Sequence, residues 1–204
     1  MKALLNEKYA RTAAAVLRVF CWLAICFFVL VTVLACLGRQ QFTLRTSTDV
    51  YEGAIYAESD HDWGSRGFTV TSSDNLRVTA NSDDGVDLST HIGLSLMFAV
   101  QALPGAAGYW FLSRVFTRIA QGKIFIEPNA RCLLGYGLLQ IYVAFCLPFV
   151  KLLICNLTNL VSDSQISMSI QIGPDKLFPC IAFLVAAYII HYGIALQDEV
   201  DHTL

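Results

Sequence analysis

RIAQGKIFIEPNARCLLGYG, residues 118–137, is a short polar segment set between two long apolar runs, with Arg118, Lys123 and Arg131 around a single glycine and a single proline. Leu112, Val115, Phe116 and Ile119 recur at helical spacing before it, while Arg114, Arg118 and Gln121 fall on another face, so the preceding helix runs on as an amphipathic turn or two. Gly122 is placed to end that helix in a left-handed cap, and Lys123 suits the negative end of its dipole. Ile124, Phe125 and Ile126 then cross in extended form. Pro128 favours the first turn of a new helix, with Glu127 near its positive end, and Asn129, Ala130 and Arg131 lead on. The stretch 114–131 reads as a helical corner. Phe125 is expected to staple it by tucking back between the helices, the alternative being a docking residue for a partner.

Working outward, the chain has 204 residues, 55% hydrophobic and 15% charged, with a mean hydropathy of +0.55, too apolar for an ordinary water-soluble domain. A span of bilayer needs about 20 apolar residues, and four segments qualify, at 13–37, 91–113, 132–155 and 177–197. The fold expected is all-α, one membrane domain of four transmembrane helices. Net charge is only −2, which leaves no global field to attract nucleic acid. Lys2, Lys8, Arg11 and Arg18 cluster before and at the start of the first span, and Arg114, Arg118, Lys123 and Arg131 flank the second connection, so the positive-inside rule places both regions and both termini in the cytoplasm. The loops 38–90 and 156–176 are then extracytoplasmic, the first with nine acidic residues. Val33-Leu34-Ala35-Cys36 resembles a lipobox, but the apolar run before it is longer than a signal peptide's, and an uncleaved first helix is the expectation.

Both outer loops alternate with period two: Phe42 and Leu44, Phe68 and Val70, Leu76 and Val78, then Ile166, Met168, Ile170 and Ile172. Such runs read as strands. Ser73-Asp74-Asn75 is placed to turn the second run into the third as an antiparallel hairpin. An isolated hairpin is marginal in water, so strands from both loops are expected to pair in a small β-sheet capping the helices. Glu58, Asp60, His61 and Asp62 beside Trp63 are ligand types for a divalent metal, but their spacing matches no EF-hand or zinc pattern and a solvated acidic loop is the expectation. Asn156-Leu157-Thr158 is a formal glycosylation sequon. Seven cysteines include no C-x-x-C pair, and Cys36, Cys155 and Cys180 come near the outer face, where two of them have the opportunity to pair.

Ionisable groups are scarce inside the spans, where they are expensive and mark function. Lys151 reads as one turn from the outer end of the third span, close enough to snorkel to the interface. Gln101 and Gln140 are deeper and will seek hydrogen bonds between helices, and His191 lies toward the inner end of the fourth span. Pro104-Gly105 is expected to kink the second. No nucleophile arrangement, nucleotide-binding loop or zinc-protease motif emerges, so the reading is of a protein that is not an enzyme and holds no cofactor.

The corner and the C-terminal YGIALQDEVDHTL resemble a bacterial family of four-helix membrane proteins catalogued as domain of unknown function 2975. The resemblance is carried by Ile119, Gly122, Phe125, Asn129, Leu133 and Gly135, and by Gly193, Leu196, Gln197, Glu199, Asp201, Thr203 and Leu204. Ile126 stands where a capping Ser or Thr is common in that family, and Val200 and His202 interrupt its acidic ending. The resemblance implies a protein of the bacterial cytoplasmic membrane, and family members are often encoded beside very small helix-turn-helix regulators. The function expected is non-enzymatic signalling, with Arg114, Arg118, Lys123, Phe125, Asn129 and Arg131 and the acidic Asp198, Glu199 and Asp201 forming the docking face for such a regulator. Membrane lipid and a second copy of the chain are the other partners considered. The alternative is a small transport or export accessory with a polar path through Gln101, Gln140 and His191.

Overall fold

The computed structural model describes residues 2–45, 50–54, 70–71, 76–79, 86–169 and 177–203. Helix α1 (Lys2–Cys36) is followed by strands β1 (Gln40–Arg45), β2 (Val50–Ala54), β3 (Val70–Thr71) and β4 (Arg77–Thr79), then by α2 (Leu88–Ala120). After the corner come α3 (Glu127–Ile141), a π-helical turn (Tyr142–Cys146), α4 (Leu147–Val161), β5 (Gln165–Ser167) and α5 (Leu177–Thr203). Four helical stretches are long and apolar enough to cross a membrane: Tyr9–Cys36, Leu88–Ala120, Glu127–Val161 and Phe178–Gln197. Large apolar side chains such as Phe20, Leu23 and Leu103 stand on their outer faces, a surface suited to lipid rather than water.

The helices outrun the apolar segments that announce them. A stretch of 33 residues such as α2 is about 50 Å long, against an apolar core of about 30 Å. Hydropathy locates the lipid-facing portion only, whereas the ends are set by caps. Asp87 caps the start of α2, accepting the Thr90 N–H at 3.2 Å. At the end of α1, Gly38 takes φ 74°, its N–H donates to the Ala35 carbonyl and the Arg39 N–H donates to that of Leu34. Helix α2 runs unbroken through Pro104. The third stretch changes its hydrogen-bond register instead, in the five residues of the π-helical turn. Pro148 accounts for this: lacking an N–H, it cannot bond the Ala144 carbonyl, and its ring displaces that carbonyl from the α-helical ladder.

The chain divides into two compact units, one of Met1–Phe27, Pro104–Ala144 and Gly173–Leu204, the other of Phe28–Leu103 and Phe145–Ile172. In the first, Cys21, Leu112, Val115, Leu133, Tyr136 and Ala187 form the buried cluster, with the Tyr136 and Phe183 rings edge to face at 4.4 Å. In the second, Leu76, Val78 and Ile166 of the sheet region bury against Leu94, Met97, Ile154 and Cys155 of α2 and α4.

The strands run in the order β2-β1-β4-β5, with β3 also on β1. Pairing between the two loops is present, since β4 lies antiparallel to β5 with Val78 opposite Ile166. Phe68 and the Ser73-Asp74-Asn75 turn lie outside the described residues, and the described parts of the second and third runs do not pair with each other: β3 and β4 both lie parallel to β1, through Gln40 opposite Val70 and Leu44 opposite Val78. The six-residue β1 offers a longer ladder than either short run offers the other, and this arrangement sends Val78 into the helix-backed core rather than leaving a two-stranded ribbon in water. Ile170 and Ile172 lie outside the described residues.

Candidate functional site

The corner belongs to the first unit and is held by a set of backbone and side-chain bonds. Gly122 takes φ 81°, its N–H donates to the Ile119 carbonyl at 2.9 Å and the Lys123 N–H donates to that of Arg118 at 2.9 Å, the left-handed cap expected. The Arg11 guanidinium lies against this turn, so close that a Cβ on Gly122 would meet its Nη2 at 2.9 Å, and it brings a positive charge to the negative end of α2. Ile124 to Ile126 is not extended throughout. The Ile126 N–H donates to the Ile124 carbonyl at 3.2 Å, which makes Phe125 the centre of a three-residue turn.

Asn129 organises the turn from within. Its side chain is 0% exposed, its Nδ2 donates to the carbonyls of Lys123 and Ile124 at 2.9 Å each, and its Oδ1 accepts from Arg118 Nη1 at 3.5 Å. The same Arg118 nitrogen donates to the Pro128 carbonyl at 3.0 Å. Asn129 and Arg118 are therefore spent inside the corner, and the expectation that Asn129 contacts a partner is corrected: a side chain with no accessible surface holds the loop's carbonyls. Ile126 occupies the N-cap of α3 with no side-chain bond, and the Asn129 amide serves the carbonyls of the preceding loop rather than the N–H groups that a capping Ser would accept from.

The remaining docking candidates stay at the surface. Lys123 and Phe125 are exposed, the latter by 43%, beside Ile124 at 41%. Phe125 tucks back only in part, its ring resting on Gly193 of α5. Arg131 Nε donates to Glu127 Oε1 at 3.1 Å, and His191 Nδ1 stands 3.4 Å from Glu127 Oε2. Arg114 is exposed and lies over the Trp110 ring at 4.8 Å. Glu199 is exposed on α5, whereas the side chains of Asp198 and Asp201 lie outside the described residues. Sequence reasoning missed Glu127 as the carboxylate shared by α3 and α5, and the i, i+4 spacing to Arg131 was the available signal.

The second unit holds the other polar centre. Lys151 does not reach an interface: it is 6% exposed, and its Nζ donates to Gln101 Oε1 at 2.5 Å. The reason is the length of α4, which continues to Val161 and leaves Lys151 nearly three turns from the helix end. Gln101 thus forms the interhelical bond expected of it, with a partner the sequence had placed at the surface. Gln140 and His191 belong to the first unit, while Gln101 belongs to the second.

At the start of α2, Asp87 accepts from the Thr90 hydroxyl at 2.5 Å and the Ser162 hydroxyl at 2.9 Å, and those two hydroxyls bond each other. Burial pushes the Asp87 carboxyl up, but bonds from Thr90, Ser162 and Ser164 and the Thr90 N–H outweigh it and hold the group below the usual carboxylate range. The sequon falls inside α4, with Thr158 buried and its hydroxyl donated to the Ile154 carbonyl, a setting without the open loop a glycan needs. None of the seven cysteines is in a disulfide. No group of metal-ligating side chains occurs among the described residues, and the loop containing Glu58, Asp60, His61 and Asp62 lies outside them. The chain matches no family model, no curated protein and no solved structure.

Proposed function

We propose that this multi-pass membrane protein is a non-enzymatic signalling component whose corner docks a small cytosolic DNA-binding regulator. The observation that carries the reading is the pair Ile124 and Phe125, held out on a turn that Asn129 and the Gly122 cap make rigid, with Lys123 and Arg131 exposed on either side. An apolar knob on a fixed loop inside a charged rim has the composition of a binding hot spot. The charge pattern of the flanks supports placing the corner and both termini in the cytoplasm of a bacterium, with the β-sheet on the outer side. Kinship with the four-helix family resembled by the corner is part of the same proposal.

The test is recovery of partners from the native host in mild detergent at two salt concentrations, with mass spectrometry of what is retained. Capture of a small DNA-binding protein by the native chain, reduced at high salt and lost with Phe125→Ala, is the expected result. Equal recovery with Phe125→Ala removes the docking reading.

A second reading, a transport accessory, is favoured by one observation: the Lys151 ammonium is buried on Gln101 within a membrane-crossing stretch, where ionisable groups usually serve a pathway. Flux into vesicles that falls with Gln101→Leu while partner capture is unchanged would select it.

A further inference from the structure

We infer that Arg18 and Arg114 hold the phosphates of anionic phospholipids at one level of the membrane, on the lipid-facing sides of α1 and α2. Both arginines fall inside membrane-crossing stretches, Tyr9–Cys36 and Leu88–Ala120, and both are exposed there. Among the described residues, Arg114 engages only the Trp110 ring, 4.8 Å from its guanidinium carbon, and Arg18 has neither a hydrogen bond nor an ion pair. A guanidinium that faces hydrocarbon is expensive unless it extends to the headgroup layer and an anion there. The chain sets no described carboxylate beside either group, so the complementary charge is that of the lipid.

Helices α1 and α2 run in opposite directions, since Arg11 lies against Gly122 while Cys21 shares a buried cluster with Leu112 and Val115. From the Arg11–Gly122 contact, Arg18 lies seven residues along α1 and Arg114 eight residues back along α2, about 11 Å in either helix. Each has a tryptophan one turn deeper, Trp22 at 52% exposed and Trp110 at 42%. Tryptophan collects where hydrocarbon meets headgroups, so two helices mark that boundary at matching levels. Arg118 and Arg131, by contrast, are engaged within the protein, by the Pro128 carbonyl and by Glu127. The contact with Trp110 uses none of the N–H groups of Arg114, and a planar guanidinium fork suits two oxygens of one phosphate. Phosphatidylcholine carries an ammonium beside its phosphate and phosphatidylglycerol does not, so charge selects the latter. The site is independent of the docking reading, and it gives Arg114 to lipid rather than to a protein partner.

The experiment counts the lipid that the full chain retains, by native mass spectrometry from mixed micelles holding phosphatidylglycerol and phosphatidylcholine in equal parts. The native chain is expected to favour phosphatidylglycerol. Arg18→Gln or Arg114→Gln should lower that retention about fivefold, and the two together about thirtyfold, the scale of one and two basic residues at an anionic surface. Arg18→Lys with Arg114→Lys keeps both charges and should stay within about threefold of the native chain. Equal retention of the two lipids by the native chain overturns the site, whether or not the Gln variants fold. Native-like retention by the double Gln variant also overturns it, as does a fall in the double Lys variant as large as that in the Gln one. Release of the bound lipid by excess glycerol phosphate would mark a free phosphate ester as the ligand and overturn the assignment to lipid.

Discussion

The ring of Phe125 lies against the backbone of Gly193, so close that a Cβ on that glycine would stand 2.7 Å from Cδ1 and 2.9 Å from Cε1. The glycine is needed for space rather than for backbone freedom. Gly193→Ala should push the ring off α5 and lower stability by about 1 kcal/mol, the scale of a modest overpacking. On a Phe125→Ala background the same substitution should have less than half that effect. Thermal unfolding of the four chains in one detergent measures the difference.

Asn129 bonds the Lys123 and Ile124 carbonyls from a site with no solvent access. Asn129→Leu keeps the branched heavy-atom shape but leaves both carbonyls to find other partners, a loss of about 2–3 kcal/mol. Trypsin should then cut after Lys123 several-fold faster than in the native chain. Unchanged cleavage would mean that the corner is held by its caps alone.

The Lys151–Gln101 bond joins a charge to a neutral amide in a buried setting. Gln101→Leu removes one acceptor of the ammonium and should lower stability by about 2 kcal/mol. Adding Lys151→Met should recover much of that loss, because a buried ion and its partner can be exchanged together for apolar groups. A double-mutant cycle that shows simple additivity would place the pair's contribution elsewhere.

The Asp87 carboxyl is held below its ordinary value, so its contribution is fully present above the unfolded-state value of about 3.9 and disappears as the pH falls through the depressed native value. Asp87→Asn should leave a chain that is less stable at neutral pH and loses less on acidification. The comparison requires only unfolding curves from about pH 6 to pH 2.

Much of this architecture was legible from residue types. Four apolar runs gave four helices, Gly122 and Lys123 marked the end of one, and Pro128 the start of the next. What could not be read depended on distance between remote residues. Lys151 looked superficial because hydropathy ended the third span at Cys155, although amphipathic turns extend α4 to Val161. Asn129 looked like surface because an Asn near a helix start usually is, and only the fold of the loop around it reveals carbonyls converging on its amide. Strands β1, β3, β4 and β5 fall in runs recognisable by alternation, whereas β2 was not expected, and the neighbours of each were chosen by what lies beneath them, which alternation does not encode.

Asn159 carries one consequence beyond packing. Its Oδ1 accepts the Ile166 N–H at 2.7 Å and its Nδ2 donates to the Ile166 carbonyl at 2.9 Å, so a side-chain amide occupies both backbone groups of the residue at the middle of β5. That strand ends the sheet order, and a terminal strand with open backbone groups invites another chain to add itself. Here the position is already filled from the same molecule. Crowded copies of this protein therefore lack a ready backbone template at Ile166 for joining sheet to sheet.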